Sequence, residues 1–82
     1  STASYQGSSV ELTKNESRIL ELLLSRNGQI VSREEIMEAL WNSDAFVDDN
    51  TLTVNMNRLR QALTKIGITD CVVTHRGQGY SL

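Results

Sequence analysis

The apolar residues of the chain fall into three helical stripes divided by short polar stretches. Residues 1–9, STASYQGSS, are small and polar, and Ser1–Ser4 read as a disordered end or a remnant appended to a domain over 5–82. Gly7-Ser8-Ser9 is able to turn a short strand at Tyr5-Gln6 into another at Val10–Leu12. Thr13-Lys14-Asn15-Glu16 has the spacing of a capping box, and Ile19, Leu20, Leu23 and Leu24, widened by Leu22, form the stripe of a first helix. Asn27-Gly28 ends it, because glycine tolerates the left-handed cap. Ile30-Val31 is a short extended link. Ser32-Arg33-Glu34-Glu35 is a second capping box, and Ile36, Met37, Leu40 and Trp41 are the apolar face of a second helix.

Asn42–Val47 reads as a loop, with Phe46 and Val47 tucked under it. Asp48 or Asp49 caps a third helix, where negative charge suits the amino-terminal dipole. Its stripe is Leu52, Met56, Leu59, Leu63 and Ile66, and Gly67 stops it. CVVTH and YSL are strand-like runs around Arg76-Gly77-Gln78-Gly79, which predicts a tight or bulged hairpin. The order is therefore a possible hairpin, three helices and a hairpin. That is α+β, mainly α: a winged helix-turn-helix with three helices, a carboxy-terminal β-hairpin wing and a short amino-terminal hairpin or strand. An all-α bundle would need a fourth helix, and VVTHRGQGYSL does not supply one.

The third helix has an unusual outer face. With Leu52 at zero and an advance of about 100° per residue, the apolar stripe lies within about 40° of zero. Opposite, from roughly 80° to 240°, lie Arg60, Thr53, Thr64, Asn57, Asn50, Gln61, Val54, Lys65 and Arg58, with no acid among them. A merely solvated face would mix glutamate with lysine for pair support along the helix. Asparagine, threonine and valine are mediocre helix formers. Such side chains do suit a DNA groove: arginine forks onto guanine, asparagine and glutamine bridge adenine, and an exposed methyl meets a thymine methyl. Arg76 at a glycine-bearing tip suits a narrow, electronegative minor groove. RGQG lacks the lysine and following helix of a phosphate-binding P-loop.

Charge supports this reading only when it is divided. The net charge is −2, yet residues 1–50 sum to −5 and residues 51–82 to +3. Such asymmetry suits one face meant for a polyanion. The longest apolar run, Ile19–Leu24, is far short of the roughly 18 residues a membrane span needs. One cysteine, Cys71, excludes an internal disulfide and fits a reducing compartment, the cytoplasm; it reads as a strand residue rather than a reactive thiol. One cysteine and one histidine leave no zinc set, and no nucleophile–histidine pair or paired carboxylates suggest an enzyme or a cofactor.

Four stretches, LTKNE, GQIVSREEIMEALW, DDNTLTVNMNRLRQAL and VVTHRGQGY, in this order and spacing, resemble the carboxy-terminal DNA-binding domain of an OmpR/PhoB-type response regulator. The match covers roughly residues 10–80, and FVDDNTLTVNMNRLR looks most like the branch that senses cell-envelope peptide antibiotics. The resemblance implies a bacterial transcription factor that binds double-stranded DNA as head-to-tail pairs on direct repeats, the isolated domain being monomeric. It implies a receiver domain ahead of this one, phosphorylated by a sensor histidine kinase, and contact with RNA polymerase through the loop Asn42–Asp49. It implies base contacts from Thr53, Val54 and Arg58. It places Trp41, Asn50, Thr51, Asn55, Asn57, Arg60, Thr74 and Tyr80 near phosphates, and Arg76 in the minor groove.

The helical wheel includes six of these residues but neither Asn55, which lies nearer the buried stripe, nor Thr51, at the helix start. Trp41 and Tyr80 are equally well read as core. Asn50 and Asn57 stand where many members carry arginine, Thr53 where many carry aspartate, and Asn55 where many carry histidine; fewer phosphate-facing charges imply weak monomer affinity and a different sequence preference. His75 replaces a usual aliphatic beside Arg76, and Ser17 a usual aromatic. The family's four-stranded amino-terminal sheet has room here for its last hairpin only. The alternative function is a winged-helix module that binds protein instead of DNA, which would need an exposed apolar patch.

Overall fold

Local capping signals set the helix boundaries. The computed structural model describes residues 1–41 and 47–82. Helix α1 spans Lys14–Ser25, with Thr13 as its cap: Thr13 Oγ1 accepts from the Glu16 N–H at 3.1 Å, and Glu16 Oε1 accepts from the Thr13 N–H at 3.1 Å. Helix α2 spans Arg33–Trp41. Ser32 Oγ accepts from the Glu35 N–H at 3.1 Å, while the Glu35 carboxylate pairs with Arg26 at 2.7 Å. The second box is thus used differently from the first, because Arg26, at the end of α1, draws its glutamate away. Helix α3 spans Asp49–Lys65 and is capped by Asp48, whose carboxylate accepts from the Thr51 N–H at 2.7 Å. It ends in a Schellman motif: Gly67 donates to Thr64 O and Ile68 to Leu63 O, with Gly67 at φ 91.

The three stripes meet in one core. Ile19, Leu23, Ile36, Leu40, Leu52, Met56 and Leu59 are at most 1% exposed, each worth about 1.5–3 kcal/mol of burial. The stripe of α3 lies inward as expected, with Asn55 and Ala62 added to it. Leu24 departs from expectation. It is 58% exposed, one position past the inward-facing Leu23.

Two small sheets frame the helices. Strands β1 (Thr2–Tyr5) and β2 (Ser8–Glu11) form an antiparallel hairpin. Residues 2–4, expected to be disordered, are therefore in β1, since pairing with β2 satisfies backbone groups that their small side chains give no sign of. The turn is Gln6-Gly7, both at positive φ, the combination a two-residue type I′ connection requires, rather than Gly7–Ser9. Strands β4 (Val73–His75) and β5 (Gly79–Ser81) form the wing, and β3 (Val31–Ser32) pairs with the other edge of β5 to give the order β3-β5-β4. The expected link Ile30-Val31 thus contributes a strand, and Cys71 precedes the wing instead of lying in it. Gly79 makes the three-stranded arrangement possible: a Cβ there would sit 2.0 Å from Val31 O.

Candidate nucleic-acid interface

Because the stripe of α3 is buried, its opposite face is presented outward. Asn50, Thr53, Val54, Asn57, Arg58, Gln61, Thr64 and Lys65 are all exposed, and Arg60 is half-buried. Val54 is 39% exposed although apolar and flanked by polar neighbours. The positions expected from the helical wheel are therefore those the fold leaves open. The face has two flanks. Arg58 lies beside the start of α1, lining a shallow depression with Thr13, Lys14, Asn15 and Asn55. Arg60 lies on the wing side.

Arg60 ties the wing to the helix. Its Nη2 donates to Thr74 Oγ1 and, at 3.2 Å, to Val72 O, and its guanidinium lies 5.9 Å from the Tyr80 ring centre. Thr74 is the cross-strand partner of Tyr80, so both side chains share the sheet face turned toward Arg60. Two residues beyond Thr74 comes Arg76, exposed at the tip of the wing. The tip is a β-turn closed by the Gln78 N–H to His75 O at 2.8 Å, with Gly77 at φ 75 as a type II turn requires. His75 is half-buried, its Nε2 2.7 Å from Ser81 Oγ.

Arg33, which sequence reasoning left unassigned, is the hub of the site. From the first turn of α2 its Nε donates to Asp49 Oδ1 at 2.9 Å and its Nη1 to the Tyr80 hydroxyl at 2.6 Å. Its Nη2 donates to Asp49 O at 2.8 Å and to Thr53 Oγ1 at 2.9 Å. One side chain thus clamps the start of α3 to β5. Burial alone would lower its pKa, but the Asp49 hydrogen bond and charge, with Tyr80, raise it further. Sixteen to forty-seven residues separate Arg33 from its partners, so no local pattern announces the hub. Lys14 was also unassigned, for the same reason: only the fold brings α1 beside Arg58.

Other expected contacts are placed less simply. Asn55 is 8% exposed, and its Nδ2 donates one proton to Thr51 O at 2.9 Å, inside the helix. Its position on the edge of the buried stripe, not its chemistry, decides this. Thr51 is half-buried at the capped turn. Tyr80 is 5% exposed and belongs to the core, with its hydroxyl turned to Arg33, whereas Trp41 is 55% exposed and does not. Of the loop Asn42–Asp49, residues 42–46, Phe46 included, lie outside the described residues; Val47 is buried and Asp48 and Asp49 are exposed. The half-buried Cys71 thiol is pushed up in pKa by burial, as suits an inert side chain. Among the described residues no group of three acidic, histidine or cysteine side chains is placed to hold a metal, and no helix is long and apolar enough to cross a membrane.

Residues 7–82 match the family model described as transcriptional regulatory protein, C terminal. The response regulator protein GraR of Staphylococcus aureus (strain MRSA252) is 54% identical over 69 residues, which are 84% of this chain and 31% of GraR. The C-terminal domain of the nisin resistance regulator NsrR, a lantibiotic response regulator, superposes with a TM-score of 0.87 at 46% identity, over 99% of this chain and 82% of that one. The DNA-binding domain of the response regulator AdeR, solved in complex with an intercistronic region, superposes with a TM-score of 0.85 at 26% identity, over 99% of this chain and 83% of that one. The chain spans about a third of the length of the curated relatives it matches. By sequence and fold together, it belongs to the OmpR/PhoB-type winged-helix family, the DNA-binding effector domains of two-component response regulators, which are transcription regulators and not enzymes.

Proposed function

We propose that α3 enters the major groove of double-stranded DNA with Thr53, Val54 and Arg58 at base edges while Arg76 at the wing tip reaches the minor groove. The observation that carries this is the acid-free outer face of α3, open to solvent and joined to the wing through Arg60 and Thr74. The exposed Asn50 and Asn57 face phosphates along the outer face, Arg60 and Thr74 do so as the hydrogen-bonded pair on the wing side, and Thr51 does so at the capped turn. Trp41, exposed at the end of α2, suits a backbone contact, and the Tyr80 hydroxyl keeps a proton for one after accepting from Arg33. Asn55, which bonds Thr51 O with one amide proton, contacts the backbone from the flank of the helix.

In the whole protein, this domain follows a receiver domain phosphorylated by a sensor kinase, acts in the cytoplasm, and binds direct repeats as head-to-tail pairs. The likeness to a lantibiotic response regulator supports a role in the response to cell-envelope peptide antibiotics. Asp48 and Asp49, exposed beside the loop, suit a contact with RNA polymerase. Selection of bound duplexes from a random pool, followed by salt titration by fluorescence anisotropy, tests the reading. Enriched direct repeats about one helical turn apart and affinity that falls with salt are expected. Arg58→Ala should cost about 1–3 kcal/mol on the selected site and relax preference at one position; equal affinity would overturn the assignment.

One observation favours a second surface. Leu24 and Val73 are 58% and 45% exposed, and with Ala3, Leu20 and Leu82 they line an apolar groove. Leu63 and Ile66, from the inward stripe of α3, also line it, turned away from Asn57 and Gln61 on the outer face, so a protein partner there would leave that outer face open. No salt-dependent binding to any duplex would make that groove the principal site.

A further inference from the structure

We infer that Arg33 fixes Thr53 so that α3 offers a base the threonine methyl and not its hydroxyl, forming with Val54 a surface selective for the C5-methyl of thymine. The inference rests on the major-groove reading above and specifies what those positions recognise.

A threonine hydroxyl has one proton and two lone pairs. Here the proton is directed at Asp49 O, 3.2 Å away, and one lone pair accepts from Arg33 Nη2 at 2.9 Å. The guanidinium that holds it is itself fixed by hydrogen bonds to Asp49 and Tyr80. Threonine is stiff at χ1, so turning the hydroxyl to the helix and Arg33 also fixes where the methyl lies. Thr53 is exposed, and its neighbour Val54 is 39% exposed. Beside the polar Asn50 and Asn57, Thr53 and Val54 thus bring methyl groups to the outer face of α3.

The bases sort against that surface. In the major groove thymine O4, guanine O6 and N7, and adenine N7 are all acceptors. Thr53 has no proton left for any of them. Only the amino groups of adenine and cytosine could meet its remaining lone pair. Thymine alone brings a methyl, and burying one against another is favourable without any donor. Arg33 is accordingly a positioning residue: it is bonded to Thr53 and not itself on the outer face of α3.

The test uses the selected duplex with each thymine replaced in turn by deoxyuridine, which removes only the methyl. At one or two positions the replacement should weaken wild-type binding about three- to five-fold, the loss expected for one buried methyl. Thr53→Val should keep that sensitivity, since it keeps the methyl surface while removing the hydroxyl that Arg33 and Asp49 hold. Thr53→Ser should lose affinity for the thymine duplex and show a smaller thymine-to-deoxyuridine ratio there, with Val54 alone left to meet the methyl. Arg33→Gln should flatten the thymine-to-deoxyuridine ratio in the threonine protein and leave it unchanged in Thr53→Val, which has no hydroxyl to release. A merely structural Arg33 would lower affinity for both duplexes equally and preserve the ratio, overturning its assigned part. Thr53→Ser binding like wild type while Thr53→Val loses affinity would overturn the methyl assignment. If deoxyuridine is without effect at every thymine while Arg58→Ala still weakens binding, this inference falls and the groove reading stands. Failure of wild type to bind any duplex overturns both.

Discussion

At the scale of single residues, the least conspicuous positions carry the most constraint. Gly79 reads in the sequence as one of two glycines in a turn, yet its backbone lies against that of Val31 and it adopts φ 154. The atom a Cβ would meet is backbone in β3, so no side-chain rotation relieves it. Gly79→Ala should destabilise the domain on the order of 1–3 kcal/mol or more, read as a lowered urea midpoint with unchanged slope. A midpoint equal to wild type would show that β3 does not hold Val31 where it lies. Arg33 teaches the same lesson. Its partners Asp49, Thr53 and Tyr80 are remote in sequence, so neither spacing nor the helical wheel reveals it. Placements that follow from periodicity, such as Leu52 inward and Val54 outward, were legible; roles that follow from a long-range contact were not.

At the scale of elements, legibility follows the range of the signal. Thr13–Glu16 and Asp48–Thr51 are caps completed within four residues, and both helices begin where those residues predict. Strand β3 has two residues and exists only because β5 lies beside it, so Ile30-Val31 looked like a link. The N-terminal turn was misplaced because Gln6, a residue with no special preference for positive φ, takes the first turn position. The cap of α3 also bears on pH. Hydrogen bonding from the Thr51 backbone holds the Asp48 carboxyl below its ordinary 3.8. A carboxyl lowered on folding stabilises the native state above its unfolded value, and that contribution disappears as pH falls through the folded one. Asp48→Ala should therefore lower Tm at neutral pH, with the gap from wild type closing as acid takes both proteins below 3.8. A gap that persists undiminished in acid would mean that the carboxylate is not what caps α3. Because Thr53 and Val54 lie in the second turn of the helix that this cap starts, the variant should also bind DNA less well than its loss of stability alone explains.

At the scale of the whole molecule, charge is arranged more than it is accumulated. The chain is net negative, yet every charged residue from Asn50 through Lys65 is basic, and the exposed Arg76 lies on the wing joined to that helix. A domain with so few cations at its DNA face should show a shallow salt dependence, each phosphate neutralised adding about 0.9 to the slope of log K against log salt. The tandem binding on direct repeats proposed above would compensate, since two weak domains on adjacent sites gain from holding one duplex together. Asn57 offers a direct test. It is exposed on the outer face of α3, between the flank of Arg58 and that of Arg60, and carries no charge. Asn57→Arg should steepen the salt slope by about 0.9 and raise affinity for all duplexes alike at low salt, because a phosphate contact is blind to sequence. The ratio between selected and random duplexes should fall or stay level, whereas Arg58→Ala lowers it through the loss of a base contact. An Asn57→Arg protein with unchanged slope would remove this position from the phosphate-facing set. One that gains affinity only for the selected site would place Asn57 at a base edge and redraw the boundary between the residues that read sequence and those that hold the backbone.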